Sequence, residues 1–355
     1  MSFRCYKRLL MNQEVSTLLA MPEDLGDWEA EYHALLNNCA LVARADRCMV
    51  RVDGERRLEM LNGLLTNQVA DLGSNGRHAM LLTPKGGILT DLWVLPRSDH
   101  VVLDVPDRGL QNLLDTFRKY LPPIYATFGD ASSELRRLSV YGPDALATVS
   151  DALGVGVPEE HLGVEEVTVH DDQSLLVTSN RRMAVDGVEI IVAASALADV
   201  GARLLEAAAR RGGKACGSRA LDVVRVEHAI PRYGVDITES NLVQETTLEE
   251  AAVSYDKGCY LGQETVARVH FRGHVNRHLR PLRFEGPGPT TGAPLLEGEK
   301  AVGVVTSSTE SPAFGPIGLG YVRREIVPPA ELRWVADDSA GSVSVLDAPL
   351  RRRTV

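Results

Sequence analysis

A single cysteine, Cys259, lies in a sequence setting where its thiol could be reactive. It belongs to the run KGCYLGQETVAR, in which Gly258 and Gly262 allow the backbone to approach a neighbouring surface closely. Residues 263–270 are expected to form a helix that begins just after the cysteine. The partial positive charge at the start of this helix and the ammonium of Lys257 would both favour a thiolate. The alternative is a cysteine that packs as a small buried apolar residue.

The same run resembles the signature of the YgfZ family, folate-binding proteins related to the T protein of glycine cleavage and implicated in maintaining iron-sulfur enzymes. Every position of K-G-C-Y-x-G-Q-E-x-V-A-R is present, and weaker similarity extends over residues 28 to 333. The resemblance implies that tetrahydrofolate is the cofactor and that Lys257, Gly258, Gln263 and Arg268 belong to its site. It also implies that Cys259 is the reactive or redox-responsive group.

Asp91 is the second candidate, because it lies in the strand-like run ILTDLWVLP with apolar residues on both faces. A carboxylate buried in this way is rare unless it is paired. We expect either a structural carboxylate tied to a turn or an arginine, or a general base that faces a ligand. The hairpin TPKGGILTDL resembles the T-protein segment in which two aspartates follow a glycine pair and one assists one-carbon transfer. Thr90 replaces one of them here, so the resemblance implies a catalytic and folate-binding role for Asp91.

Glu227 is the third candidate, in the helix-like run SRALDVVRVEHAIPRYGVD. It falls on the same side as Val223 and Val224, so its carboxyl group joins an apolar face. A salt bridge to Arg225 or a solvated edge position would explain it structurally. The segment resembles the family pattern R-x-E-x-G-x-P-x-Y-G-x-D, with an alanine in place of the usual glycine. This resemblance implies that Glu227 binds the pterin-like ring of folate and that Arg225 and Tyr233 belong to the same site.

Residues 266–284 carry several arginines and no acidic residue, although the whole chain has a net charge of -10. Such a local reversal of charge predicts an anion site for a folate glutamate tail, a phosphate or an acidic partner surface. A solvated basic face is the alternative. His270, His274 and His278 have the spacing of a helical metal face, but Gly273 and the lack of a nearby carboxylate argue against it. No metal is expected. The arginines are Arg268, Arg272, Arg277, Arg280 and Arg283.

Composition restricts the class of protein. The chain has 355 residues, 44% apolar content and 24% charged content, which is ordinary for a soluble globular protein of about two or three domains. No apolar stretch reaches the roughly 20 residues that span a bilayer. Net negative charge argues against nucleic acid as the main partner. Five scattered cysteines without a CxxC pair argue for the cytoplasm and against a disulfide framework or a permanent iron-sulfur cluster.

The elements that must position these residues divide the chain into three parts. Residues 1–24 are expected to be an N-terminal extension that is disordered, and Met11 or Met21 would serve equally well as the start. Residues 25–275 alternate short strands with helices, which predicts two interleaved α+β lobes. Residues 276–350 have short apolar runs separated by Gly, Pro and Ser, which predicts a small β-barrel. This α+β arrangement resembles the T protein, which implies two lobes and a C-terminal barrel around a folate channel.

Two functions compete. The resemblance implies a folate-binding accessory protein that supports iron-sulfur cluster synthesis or repair, with iron-sulfur proteins or assembly factors as partners. The alternative is an enzyme, a tetrahydrofolate-dependent aminomethyl- or methyl-transferase in which Asp91 and Glu227 position the ring. The KGC motif favours the first, since one-carbon transferases of this superfamily do not need that cysteine. A cysteine hydrolase that uses Cys259 is a third, weaker hypothesis.

Overall fold

The computed structural model describes residues 15–169, 173–181, 183, 185–336 and 339–350. Its strands are, in chain order, β1 (Ala40–Ala43), β2 (Arg47–Asp53), β3 (Arg77–Leu82), β4 (Ile88–Pro96), β5 (Val101–Pro106), β6 (Thr127–Asp130), β7 (Leu135–Tyr141), β8 (Val164–Val169), β9 (Gln173–Ser179), β10 (Gly187–Ala193), β11 (Lys214–Ala215), β12 (Arg277–Phe284), β13 (Pro294–Glu297), β14 (Lys300–Ser311), β15 (Gly315–Arg323), β16 (Ala330–Ala336) and β17 (Ser339–Val345). Its main helices are α1 (Trp28–Asn37), α2 (Arg57–Leu64), α3 (Asp107–Tyr120), α4 (Ala145–Leu153), α5 (Leu197–Ala209), α6 (Ser218–Glu227), α7 (Glu249–Ala252) and α8 (Gln263–Arg272). Two short 3-10 helices span Ala194–Ala196 and Val243–Glu245.

The first lobe is built on a five-stranded antiparallel sheet with the strand order β3-β4-β5-β2-β6. Helices α2 and α3 bury their apolar sides against it. Asp107 lies in the first turn of α3, where a negative charge is favourable, and Pro122 prevents the helix from continuing. Between these ends, Leu113 and Phe117 share one face and are fully buried. The sequence therefore determines both the length of α3 and its packing side.

The second lobe is a six-stranded sheet with the order β11-β1-β7-β10-β9-β8, antiparallel except for the β1–β11 pair. Strand β1 is buried on both faces. Leu41 packs into the cluster that contains α4 and α5, while Ala40 and Val42 pack into the cluster that contains α1 and α6. This alternation follows from the two-residue period of a strand. Helix α1 begins at an N-cap, since the side chain of Asp27 accepts the N–H of Ala30.

The C-terminal part is a closed barrel with the strand order β12-β15-β14-β13-β16-β17. Its first strand begins at Arg277, one residue after the predicted start of this domain at 276. Leu282, Leu295 and Trp334 belong to its apolar interior. Closure pairs every strand edge, which suits a domain made of short strands. The barrel also packs against the end of α6, where Val226 joins the cluster of Leu319 and its neighbours.

Residues 15–24 correct the expected N-terminal extension. Val15 and Leu18 are 2% and 0% exposed, and both pack into the core of the second lobe. The backbone carbonyl of Pro22 then accepts the N–H of Ser218, so the segment is tied to the start of α6. The prediction of disorder over residues 1–24 is therefore wrong for 15–24, because two buried apolar side chains anchor this segment. Residues 1–14 lie outside the described residues.

The predicted fold class is confirmed: two α+β lobes precede a six-stranded C-terminal barrel. The predicted hairpin and the predicted helix after Cys259 both form. Among the described residues, no helix combines the length and apolar character needed to cross a membrane.

Candidate functional site

Asp91 lies in the middle of β4, in a hairpin that turns at residues 83–87. Thr83 holds this turn, because its N–H donates to the carbonyl of Gly87 at 2.8 Å and its hydroxyl accepts the N–H of Gly87 at 3.0 Å. The Asp91 side chain is almost fully buried, and its Oδ2 lies 3.1 Å from Nε2 of His78 on β3. A buried histidine thus contacts the carboxyl group, where the structural hypothesis expected a turn or an arginine.

Neighbouring side chains define the face that Asp91 occupies. The ring of Trp93 stacks on His78 with 4.3 Å between centroids and 23° between planes. Thr90 points the other way, since a Cβ added to Gly109 of α3 would lie 2.6 Å from the Thr90 Cβ. Successive strand residues face opposite sides, so position 91 faces away from α3 and position 90 faces it. The aspartate that is missing at position 90 would therefore lie against α3 and not beside Asp91.

Two cavities meet near this pair. Cavity 1 has a volume of about 260 Å³, and Asp91, Arg225 and Tyr233 are among the residues that line it. Its lining contains six arginines and four aspartates in total. Cavity 2 has a volume of about 730 Å³ and is lined by His78 together with residues of both lobes and of the barrel. Trp93 and Ile230 line both cavities. The two spaces are therefore adjacent, and the hydrogen-bonded pair lies between them.

A buried ionic network forms one wall of cavity 1, at the contact between the lobes. Arg137 on β7 pairs with Asp104 on β5 and with Glu189 on β10, and Arg47 also pairs with Asp104 at 2.7 Å. Burial opposes the charge on Asp104, but Arg137 and Arg47 outweigh it and lower the pKa of this carboxyl. Much of the positive charge in this wall is thus neutralised inside the protein. The network joins the two sheets at the cavity.

Arg225 lines cavity 1, but its guanidinium hydrogen-bonds to other side chains of the protein. Its guanidinium donates to Asp222 at 2.5 Å, to Asp236 at 2.8 Å and to the hydroxyl of Ser307 at 2.9 Å. These bonds connect α6, the loop after it and barrel strand β14. Tyr233 lies beside it in the cavity lining, and its hydroxyl accepts a hydrogen bond from the Asn112 side chain at 3.0 Å. Burial raises the pKa of Tyr233, so its hydroxyl stays protonated at neutral pH.

Glu227 does not line either of these two cavities. It is 1% exposed at the end of α6, and its Oε1 accepts hydrogen bonds from Tyr32 at 2.5 Å and from Ser311 at 2.6 Å. The carboxyl group therefore joins α1, α6 and the end of β14. The expected salt bridge to Arg225 is not its contact here, since Arg225 pairs with Asp222 and Asp236. Its role toward a pterin ring stays a prediction.

Ala229 shows why the family pattern has glycine at this position. It has a φ of 53°, in the left-handed region that alanine rarely adopts. Its N–H donates to the carbonyl of Val226, and the N–H of Ile230 donates to the carbonyl of Arg225, which together form the Schellman ending of α6. Ala229 lines cavity 2. The substitution is therefore tolerated at the price of backbone strain beside the cavity.

Lys257 holds the KGC motif onto the first lobe. Its ammonium donates to the carbonyls of Asn62, Leu65 and Asn67 at 2.6, 2.7 and 2.9 Å, at the C-terminal end of α2. An ammonium has three donors, so none is left for a thiolate. Burial lowers the pKa of Lys257 to about 8, and the group is still mostly protonated at neutral pH. The expectation that this ammonium stabilises Cys259 is replaced by a role at the end of a helix, where a cation is favourable.

Cys259 itself is exposed and lies outside both cavities. Gly262 holds the following turn with a φ of 84°, and a Cβ there would lie 2.6 Å from the carbonyl oxygen of Thr83. The predicted close approach of backbone is therefore found at Gly262. It is not found at Gly258, because a Cβ there would meet nothing within 4 Å. Gln263 opens α8 and its N–H donates to the carbonyl of Tyr260 at 3.2 Å.

The arginine-rich stretch separates into two groups. Arg268 and Arg272 are exposed on α8, beside Phe271, which is 66% exposed. Arg277 pairs with Glu245 at 3.1 Å, while Arg280 pairs with Asp347 at 3.2 Å and lines cavity 2. The stretch is therefore not one continuous anion site. None of the folate-site candidates in the KGC motif, Lys257, Gly258, Gln263 and Arg268, lines the two cavities.

Sequence reasoning missed His78 and Trp93. A usable signal existed, because the runs RHAMLL and ILTDLWVLP pair across the turn TPKGG. Cross-strand register then places His78 opposite Trp93 and puts Asp91 on the same face. A histidine in an otherwise apolar strand is unusual enough to justify that test.

Comparison with known families agrees with this architecture. Residues 20–257 match the GCVT N-terminal domain, and residues 276–348 match the C-terminal beta-barrel domain of CAF17. The first match covers more than half of the chain, so the chain belongs to the GCVT-domain family. It carries in addition a barrel of the CAF17 type. The predicted relationship to the T protein is thereby confirmed at the level of this family.

Several relatives are similar over nearly the whole chain. An aminomethyltransferase from Corynebacterium jeikeium (strain K411) is 26% identical over 335 residues, which cover 86% of this chain and 86% of the relative. An aminomethyltransferase from Shouchella clausii (strain KSM-K16) is 27% identical over 346 residues, which cover 94% of this chain and 92% of the relative. The crystal structure of the glycine cleavage system aminomethyltransferase T from Bartonella henselae has a TM-score of 0.79 at 24% identity, and covers 90% of this chain and 88% of that chain. This likeness shows a common fold.

Proposed function

We propose that this protein is a folate-binding accessory protein of the YgfZ type, which supports the synthesis or repair of iron-sulfur clusters in partner proteins. The observation that carries the proposal is the exposure of Cys259 on a loop that several contacts hold in place. An exposed thiol away from the cavities is available to another protein and not to a ligand buried inside this one. A cysteine that only packs would be buried instead.

The contacts around Cys259 support a positioned thiol. Lys257 is fixed by three carbonyls, the N–H of Leu261 donates to the carbonyl of Gly63 at 3.2 Å, and Gly262 packs on Thr83. The loop is thereby attached to α2 on one side and to the β3–β4 turn on the other. Reactive groups are effective when their surroundings hold them in one geometry. The same turn leads into β4 and Asp91, so the thiol loop and the cavities share one support.

Tetrahydrofolate is the cofactor we propose for the space that the two cavities form. Cavity 2, at about 730 Å³, has the volume of a small-molecule site, and cavity 1 adds a smaller adjoining space of about 260 Å³. Trp93, Tyr233 and Ile230 supply apolar surface there, and the arginines that line cavity 1 suit carboxylates. We place the protein's action in the cytoplasm, since the free thiols of Cys39, Cys48, Cys216 and Cys259 suit a reducing compartment.

Deletion of the gene tests this proposal. Iron-sulfur enzyme activities and glycine cleavage are measured in the same deletion strain and in a strain that carries the gene on a plasmid. We expect the iron-sulfur activities to fall and glycine cleavage to persist. Intact iron-sulfur enzymes together with lost glycine cleavage would reject the accessory function and favour the transferase.

A tetrahydrofolate-dependent aminomethyltransferase is the second candidate, and the position of Asp91 favours it. Its carboxyl group is buried beside His78 and lines a cavity, as a general base would. The relatives named aminomethyltransferase cover most of the chain. Purified protein is supplied with an aminomethyl donor and tetrahydrofolate, and the one-carbon product is measured. Turnover that Asp91→Asn abolishes would establish this activity, whereas equal turnover by the variant would leave Asp91 a structural role.

A further inference from the structure

His78 and Asp91 form a buried polar pair on one face of the first sheet. In the register of β3 and β4, His78 is opposite Trp93 and Asp91 is opposite Met80, so the two are diagonal neighbours. Their side chains are 2% and 5% exposed, and Nε2 and Oδ2 lie 3.1 Å apart. The stacked ring of Trp93 fixes the orientation of the imidazole. The geometry is that of a histidine and a carboxyl group that share a proton.

The two members of the pair belong to different cavities. Asp91 lines cavity 1, His78 lines cavity 2, and Trp93 lines both. Their hydrogen bond therefore runs from one cavity to the other through the protein. Histidine is the side chain whose ordinary pKa allows it to gain and lose a proton near neutral pH.

We propose that His78 and Asp91 act as a proton relay between the two cavities, with His78 as the positioning residue that sets the protonation of Asp91. The imidazole takes up a proton at Nδ1, the ring nitrogen that is not bonded to Asp91, and the proton on Nε2 passes to Oδ2 of Asp91. Asp91 then donates it to a ligand in cavity 1, and the reverse sequence removes a proton from that ligand. Only N–H and O–H bonds form and break, so no other reactant is needed. The relay rests on the proposed folate site.

Other charged groups near the pair are largely engaged. On the side of cavity 1, Asp104 is neutralised by Arg137 and Arg47, and burial raises the pKa of Tyr233. Around cavity 2, burial lowers the pKa of His161, so that ring is mostly neutral near pH 7. The remaining titratable or charged groups that line cavity 2 are Arg77, His228, Arg280 and Asp347. His161 and His228 line the same cavity as His78, so they serve as matched controls.

The test is calorimetric binding of 5-formyltetrahydrofolate, at about pH 6.5, in two buffers with different ionisation enthalpies. The difference between the buffers gives the number of protons exchanged on binding. We expect the wild type to exchange roughly half a proton or more, and His78→Gln and Asp91→Asn to lose most of that exchange. His161→Gln and His228→Gln should retain it. Undiminished exchange in His78→Gln, or a loss confined to a control variant, would overturn the relay.

A second measurement does not depend on folate or on the stability of a His78 variant. Histidine rings of the ligand-free wild type and of Asp91→Asn are labelled with ¹⁵N and titrated by NMR from about pH 5 to pH 8. Because a neighbouring carboxylate favours the imidazolium, we expect Asp91→Asn to lower the His78 midpoint by about one pH unit or more. An unchanged midpoint would reject the relay. If folate does not bind but the His78 midpoint shifts in Asp91→Asn, the proposed cofactor is rejected, while the coupling between His78 and Asp91 is retained.

Discussion

At the scale of single residues, Glu227 is the site candidate whose surroundings differ most from the prediction. Tyr32 and Ser311 donate to its carboxyl group in a buried setting. We expect Glu227→Ala to lower the free energy of unfolding by about 2 to 4 kcal/mol, because two buried hydroxyls lose their acceptor and a cavity forms. Urea denaturation of the ligand-free protein measures this. An unchanged stability combined with a large loss of folate affinity would instead support the pterin-binding role.

Cys259 differs from the other described cysteines in exposure. Burial raises the pKa of the Cys39, Cys48 and Cys216 thiols, which makes their thiolates scarce at neutral pH. We therefore expect iodoacetamide to modify Cys259 faster than these three at about pH 7, by at least about tenfold. Peptide mass spectrometry over a time course measures the rates, and unfolded protein gives the reference. Equal rates in the folded protein would mean that the thiol is not accessible.

At the scale of elements, Gly262 determines how α8 sits on the β3–β4 turn. We expect Gly262→Ala to destabilise the protein by about 2 kcal/mol or more, since a side chain at φ 84° is strained and its Cβ would contact the carbonyl of Thr83. Gly258→Ala is the matched control. A Cβ there meets nothing within 4 Å, so its effect should stay within about 0.5 kcal/mol. Thermal denaturation compares the two, and equal effects would contradict the packing described for α8.

The sequence predicted most elements because local signals agreed. The turn residues of TPKGG, the proline after α3 and the cap at Asp27 each specify a boundary. It also singled out the alanine that replaces a glycine, and the φ of 53° at Ala229 explains that family preference. Local patterns did not reveal the partner of Lys257, since the carbonyls of Asn62, Leu65 and Asn67 lie about 190 residues away in the chain.

At the scale of the whole molecule, Asp236 joins the lobes to the barrel. Its carboxyl group accepts from Arg225 at 2.8 Å and from Thr306 and Ser307 of β14 at 2.6 and 2.7 Å. We expect Asp236→Asn to reduce the free energy of unfolding by about 3 kcal/mol, because the buried guanidinium loses a charged partner.

Arg232→Gln is the control for Asp236→Asn, since the Arg232 side chain is 47% exposed in its pair with Asp222 and should contribute less than about 1 kcal/mol. Chemical denaturation of both variants provides the comparison. A wild-type midpoint for Asp236→Asn would show that the barrel does not depend on this contact.

The cavities could not be predicted from the sequence. Their walls bring together segments from both lobes and from the barrel, such as His78, His161, His228 and Arg280. Only tertiary packing makes these residues neighbours. For the same reason the sequence could indicate that Asp91 is buried but not that a histidine contacts it. It could also place Glu227 on an apolar face, but not show that Tyr32 and Ser311 donate hydrogen bonds to its carboxyl group.

The central claim is that Cys259 acts on partner proteins while folate binds elsewhere in the molecule. Complementation of a deletion strain with Cys259→Ser tests it most directly, with folate affinity of the purified variant measured in parallel. We predict a variant that folds, binds 5-formyltetrahydrofolate within about threefold of the wild type and fails to restore iron-sulfur enzyme activity. Full restoration of that activity by Cys259→Ser would contradict the account.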